Sequence, residues 1–178
     1  MGRQDQDIRP NTELIDIIPV SDDVLKELPY ASHARYERGK QCLENTRKDL
    51  LDDITDCINS TEDDESRIYF LHGPTGTGKS AIAHSVAVRF DDRKHLGSSF
   101  MINSAYRHPS SDILPTIARD ISDLDPSFKA ALYRAIKARR SDRSISDLEE
   151  QFKLYLLQPC EALEFNGSIV IVLNGLDE

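Results

Sequence analysis

Residues 73–80 constrain this chain more than any other stretch: Gly73, Pro74, Thr75, Gly76, Thr77, Gly78, Lys79 and Ser80 follow one another. They fit G-x-x-x-x-G-K-S/T, a loop whose main-chain N–H groups wrap a polyphosphate. The flanks are those the motif needs. An apolar run, Ile68-Tyr69-Phe70-Leu71, precedes it, and the helix-forming run Ala81 to Val88 follows. The spacing predicts a core strand over 67–72, a glycine turn, and a helix to about Phe90 whose positive end faces the same anion. In such a loop Lys79 reaches the β- and γ-phosphates, and the Ser80 hydroxyl ligates Mg²⁺. The bound group is therefore expected to be a nucleotide polyphosphate with Mg²⁺.

The bulk of the chain sets limits. At 178 residues it holds one domain plus a tail, and its net charge of −9 argues against nucleic acid as a partner. The basic run Lys137-Ala138-Arg139-Arg140 with Arg143 reads as a solvated helix end. Cys42, Cys57 and Cys160 are odd in number and widely spaced, which suits reduced thiols. No apolar run reaches membrane-spanning length, and Met1 to Asp7 is polar with no apolar stretch behind it, so the expected location is cytoplasmic. The five histidines show no metal-ligand spacing, and no zinc site is expected.

Residues 1–44 read as an irregular leader broken by Pro10, Pro19 and Pro29; it carries one apolar run, Leu14 to Ile18. Leu50, Leu51, Ile54 and Ile58 make one stripe of a helix over 45–60, with Thr46 and Asp49 as a capping pair. A second strand is expected within Leu96 to Asn103. Three helices follow. The second opens on Asp125-Pro126, and the third opens on Ser146 with Glu149 and is ended by Pro159. The β-branched run Ile169 to Leu173, bounded by Gly167 and Gly175, reads as a parallel strand covered on both faces. Strands alternating with helices predict an α/β fold with a parallel sheet.

That last strand runs into Asn174-Gly175-Leu176-Asp177-Glu178. An apolar strand ending in acids completes a phosphate-loop site: one acid holds Mg²⁺ and a neighbour orients the attacking water. Asp177 and Glu178 are the candidates for the water-orienting role, and Ser80, Asn174 and Asp177 for the metal.

With both motifs in view, the chain resembles the fungal branch of the NACHT family of STAND signalling ATPases, and is similar to their nephrocystin-like N-terminal P-loop segment. The matching stretches are Leu28-Pro29-Tyr30-Ala31, Cys42 to Arg47, the phosphate loop, Leu96 to Phe100, Pro115 to Asp120, and Ile169 to Glu178. The resemblance implies a three-layer P-loop sandwich and a nucleotide switch, closed with ADP and oligomeric with ATP, in self/non-self recognition and cell death. It implies homo- or hetero-oligomers with related NACHT proteins, and makes Arg47 either a nucleotide contact or a surface ion pair.

Two departures from the family pattern stand out. The Mg²⁺-side aspartate is Asn174, an amide without charge, so weak or absent hydrolysis is expected. The sequence also ends before the family's fourth strand, which lies between the first and third. The sheet is thus expected to hold strands 1 to 3 only, with the first and third closing up, filled by another chain, or left open as in an incomplete product of a longer gene. The last of these is the expectation. An alternative function is a non-enzymatic decoy or adaptor that pairs with full-length relatives. A small-molecule kinase fits least, since no lid or acceptor sequence follows.

Overall fold

The computed structural model describes residues 22–60, 67–102, 109–139, 145 and 147–176. Seven α-helical stretches and two strands are present among them. In chain order these are α1 (Asp22–Lys26), α2 (Lys48–Asn59), α3 (Lys79–Asp92), β1 (Leu96–Met101), α4 (Ile113–Leu124), α5 (Pro126–Ala138), α6 (Leu148–Phe152), α7 (Gln158–Cys160) and β2 (Val170–Asn174). The protein is mixed α/β.

β1 and β2 pair in parallel, with Ser99 opposite Val172 and Met101 opposite Asn174. Their side chains alternate between the two faces. Met101, Val170 and Val172 point to one face and join Leu51 and Ile54 of α2 and Ile82, Val86 and Phe90 of α3 in one core cluster. α4 packs on the opposite face of β1, where the Ser98 hydroxyl donates to Asp120 at 2.5 Å. Gly97 makes room on β1 for the chain that enters β2. A Cβ there would sit 2.3 Å from the Ile169 side chain and 3.4 Å from that of Ile121, and the pairing register shifts at the same point. A second cluster holds α1, α4 and α5 together through Leu25, Leu28, Ile117, Ile121, Phe128 and Leu132.

The main correction concerns residues 67–72. The segment is no strand: it forms no ladder, and Ile68 and Phe70 are 80% and 75% exposed. The sheet order explains this. At the two ends of the β1–β2 pairing, Val170 N–H donates to the His95 carbonyl at 2.8 Å and the Asn174 carbonyl accepts from Ile102 N–H at 2.9 Å. The main-chain groups of Ile171 and Leu173 therefore point to the far edge, where no described strand lies. A strand alone cannot satisfy its own backbone, so without a neighbour 67–72 forms no ladder. The expected cover on both faces of β2 also fails, since Ile171 and Leu173 remain 41% and 42% exposed.

Smaller corrections follow local chemistry. Asp125 caps α5, accepting from Phe128 N–H at 2.7 Å. α2 begins instead after Arg47 in the left-handed region, without a side-chain cap, and Thr46 donates to the Leu43 carbonyl. The last helix is capped by Asp147, which accepts from Glu149 N–H; Ser146 lies outside the described residues. Pro159 does not end it. A π-helical stretch, Lys153–Leu157, widens the turn before the proline, where the ring would otherwise meet the carbonyl four residues back.

Residues 27–47 form a strap. It starts on the α4 face, where Ala31 N–H donates to Thr116 Oγ1 at 3.0 Å. It rounds the outer edge of β1, where Tyr36 N–H donates to Ser99 Oγ at 3.1 Å. It then lies on α3, where Glu37 N–H donates to His84 Nδ1 at 3.0 Å and Cys42 N–H to Ser85 Oγ at 2.9 Å. Leu28, Ala31 and Ala34 are buried beneath it.

Candidate functional site

The glycine loop leaves the extended segment at Gly73 and enters α3 at Lys79. Gly76 and Gly78 have φ of +83° and +90°, a region that side chains rarely adopt. Thr77 braces the turn by donating its hydroxyl to the Pro74 carbonyl at 2.8 Å. Gly78 caps α3, its carbonyl accepting from Ile82 N–H at 3.0 Å, so the helix aims its free amides at the loop. Lys79 Nζ folds back to donate to Gly73 O at 2.7 Å and Pro74 O at 3.2 Å. Its ammonium group thus lies on the loop itself. Residues 72–78 and Ser80 are exposed and Lys79 is half-buried, so the loop is open to a ligand.

Asn174 arrives from the other motif. It ends β2, and its Nδ2 donates to Ser80 Oγ at 3.3 Å. Two motifs 94 residues apart in sequence thereby meet at the first turn of α3. The contact is built by packing: α3 lies on β2 through Val86, Ile82 and Val172, and this sets the strand end beside the start of the helix. Asp177 and Glu178, the expected acids, lie outside the described residues.

Arg47 is the third arrival. Its Nη2 donates to the Thr77 carbonyl at 3.3 Å, from a backbone with φ of +56°. Among the described residues no carboxylate lies within ion-pair distance of it. A cleft of about 400 Å³, lined by Asn45, Arg47, Lys48, Asp49 and Leu50, opens beside it. His72 sits exposed before the loop, its ring stacked on Phe70 at 6.2 Å. Arg107 lies outside the described residues. His84 is buried, and that burial pushes its imidazole below the ordinary 6.5.

Chemically, the arrangement offers main-chain amides, a helix N-terminus, one ammonium and one guanidinium around an open turn, which fits a phosphate chain. For a divalent cation the described residues offer only the Ser80 hydroxyl and the Asn174 amide, both neutral. Among the described residues no group of three or more His, Cys, Asp or Glu could hold a metal ion. A rotation of the Asn174 amide would present its oxygen in place of its nitrogen toward Ser80.

No helix among the described residues is long and apolar enough to cross a membrane. No curated protein and no solved structure matches the chain in comparison. The family model described as Nephrocystin 3, N-terminal, matches residues 45–178, from the last residues of the strap through α2, the glycine loop and β2. The chain belongs to the Nephrocystin 3 N-terminal family.

Proposed function

We propose that this chain is the ATP- or ADP-binding module of a NACHT-type signalling switch, with a P-loop site centred on residues 73–80. The observation that carries the reading is the contact of Asn174 with Ser80. A glycine loop alone is a turn; a glycine loop whose hydroxyl residue meets the end of a neighbouring strand is a place for phosphate and its cation. Gly73 and Thr75 to Gly78 supply amides, with Pro74 fixing the turn between them, Lys79 the charge for the outer phosphates, and Ser80 with Asn174 and Asp177 the metal side. Asp177 and Glu178 orient water. Arg47 adds a second cation at the loop.

Hydrolysis is weak in this reading because Asn174 brings no charge to the metal. Losing such a supporting group costs about 10–100-fold in metal affinity or activity. Titration calorimetry of the 178-residue chain with ATP·Mg²⁺ and with ADP tests the binding. Heat should appear with the native chain, and the affinity should fall on the order of tenfold or more in Lys79→Ala; no heat with either nucleotide ends the reading. Asn174→Asp should raise Mg²⁺-dependent phosphate release by about 10–100-fold. An unchanged rate in that variant removes the role given to Asn174.

A second reading rests on the open edge of β2, where Ile171 and Leu173 are part-exposed and their main-chain groups face outward. There the chain acts as a decoy or adaptor that lends this edge to a full-length relative. It predicts co-elution with such a relative whatever the nucleotide. Separate elution excludes it.

A further inference from the structure

Four main-chain N–H groups fasten the strap, and each bonds to a side chain of the body: Thr116, Ser99, His84 and Ser85. Three of those acceptors are hydroxyls, whose lone pairs are available at any pH the protein survives. The fourth is an imidazole nitrogen. Nδ1 can accept from Glu37 N–H only while it carries no proton, so His84 is held as the Nε2–H tautomer. We propose that His84 is a proton-sensitive latch, whose protonation turns Nδ1 from acceptor to donor and frees the strap at Glu37 from α3.

The surroundings support a neutral ring. His84 is buried while the side chains of Glu37 and Lys40 lie in solvent, and these two are the charged groups that act on it. Lys40 disfavours the imidazolium and Glu37 favours it, and the two are paired with each other at 2.6 Å. Beside them Arg38 is engaged by Asp91 and Asp92 at the far end of α3, in exposed pairs that hold weakly. Burial is the largest influence and favours the neutral form. The latch is therefore shut above the ordinary imidazole range and opens as pH falls below it, because an open strap lets water reach the imidazolium. Opening has a route to the glycine loop, since the same strap runs on from Cys42 to Arg47 and so to the Thr77 carbonyl. The latch itself does not depend on nucleotide.

Amide exchange and ring ¹⁵N shifts of the full chain, measured by NMR from pH 7.5 to 4.5, test the idea. The protection factor of the Glu37 amide, corrected for intrinsic rates, should fall about tenfold or more, with the same midpoint as the His84 ring. In His84→Asn, whose amide oxygen accepts without titrating, that fall should vanish. A flat Glu37 profile while His84 titrates would overturn the proposal. So would a His84 that stays neutral to pH 4.5, or an undiminished pH response in His84→Asn. Should the variant fail to fold, the paired wild-type midpoints decide alone.

Discussion

Tyr30 shows how much one side chain can carry at the residue scale. Its hydroxyl donates to Asp120 at 2.9 Å, and the Arg119 guanidinium lies 4.5 Å above its ring. Burial, and then the Asp120 carboxylate, push the phenol up to about 12. The fold thus prefers the neutral phenol, and this contribution is complete below the ordinary value near 10. It is lost as pH rises from there through about 12. Alkaline unfolding followed by circular dichroism should be steeper in the native chain than in Tyr30→Phe. Coincident curves would remove Tyr30 from the account. Other residues differ in how far sequence announces them. Lys79 and Ser80 are legible because the glycine spacing fixes their place relative to a backbone turn. Arg47 is only half legible: its contact with Thr77 needs α2 and α3 to pack side by side, which no local pattern encodes. The strap acceptors Ser85, Ser99 and Thr116 are silent in sequence, since a hydroxyl on a core face looks like any other small residue.

At the scale of elements, helices were readable and strands only partly so. α4 and α5 follow their apolar stripes, and Asp125-Pro126 marks the start of α5 through a cap and a fixed φ. Asp125→Ala should lower stability by about 1 kcal/mol, measured by urea unfolding at unchanged slope. A loss well under half of that would mean that neighbouring turns, not the cap, hold the helix start. Residues 67–72 have the composition of a strand and lack its structure. Composition reports what a segment could pair with, whereas a ladder also needs the neighbour, and no described strand lies on the Ile171–Leu173 side of β2. The π-helical turn before Pro159 was equally hidden, and around it the chain buries Gln151, Leu154 and Leu156 while Leu148 and Phe152 stay exposed.

At the scale of the whole molecule, three core clusters meet around the β1–β2 sheet, and the third forms where Ala31 and Ala34 of the strap cover Phe100. Leu25, Leu28, Ala31 and Ala34 come from residues ahead of the family match yet are as buried as the helices they touch. Removing residues 1–44 should therefore uncover β1 and the α4 face together. Thermal melting of a 45–178 fragment should show a broad transition or none, beside a sharp one for the full chain; equal melting would mean that the strap adds little. The match to the family begins at residue 45, yet four buried side chains of the core lie ahead of it, so anyone excising this module by homology alone would discard four of its keystones.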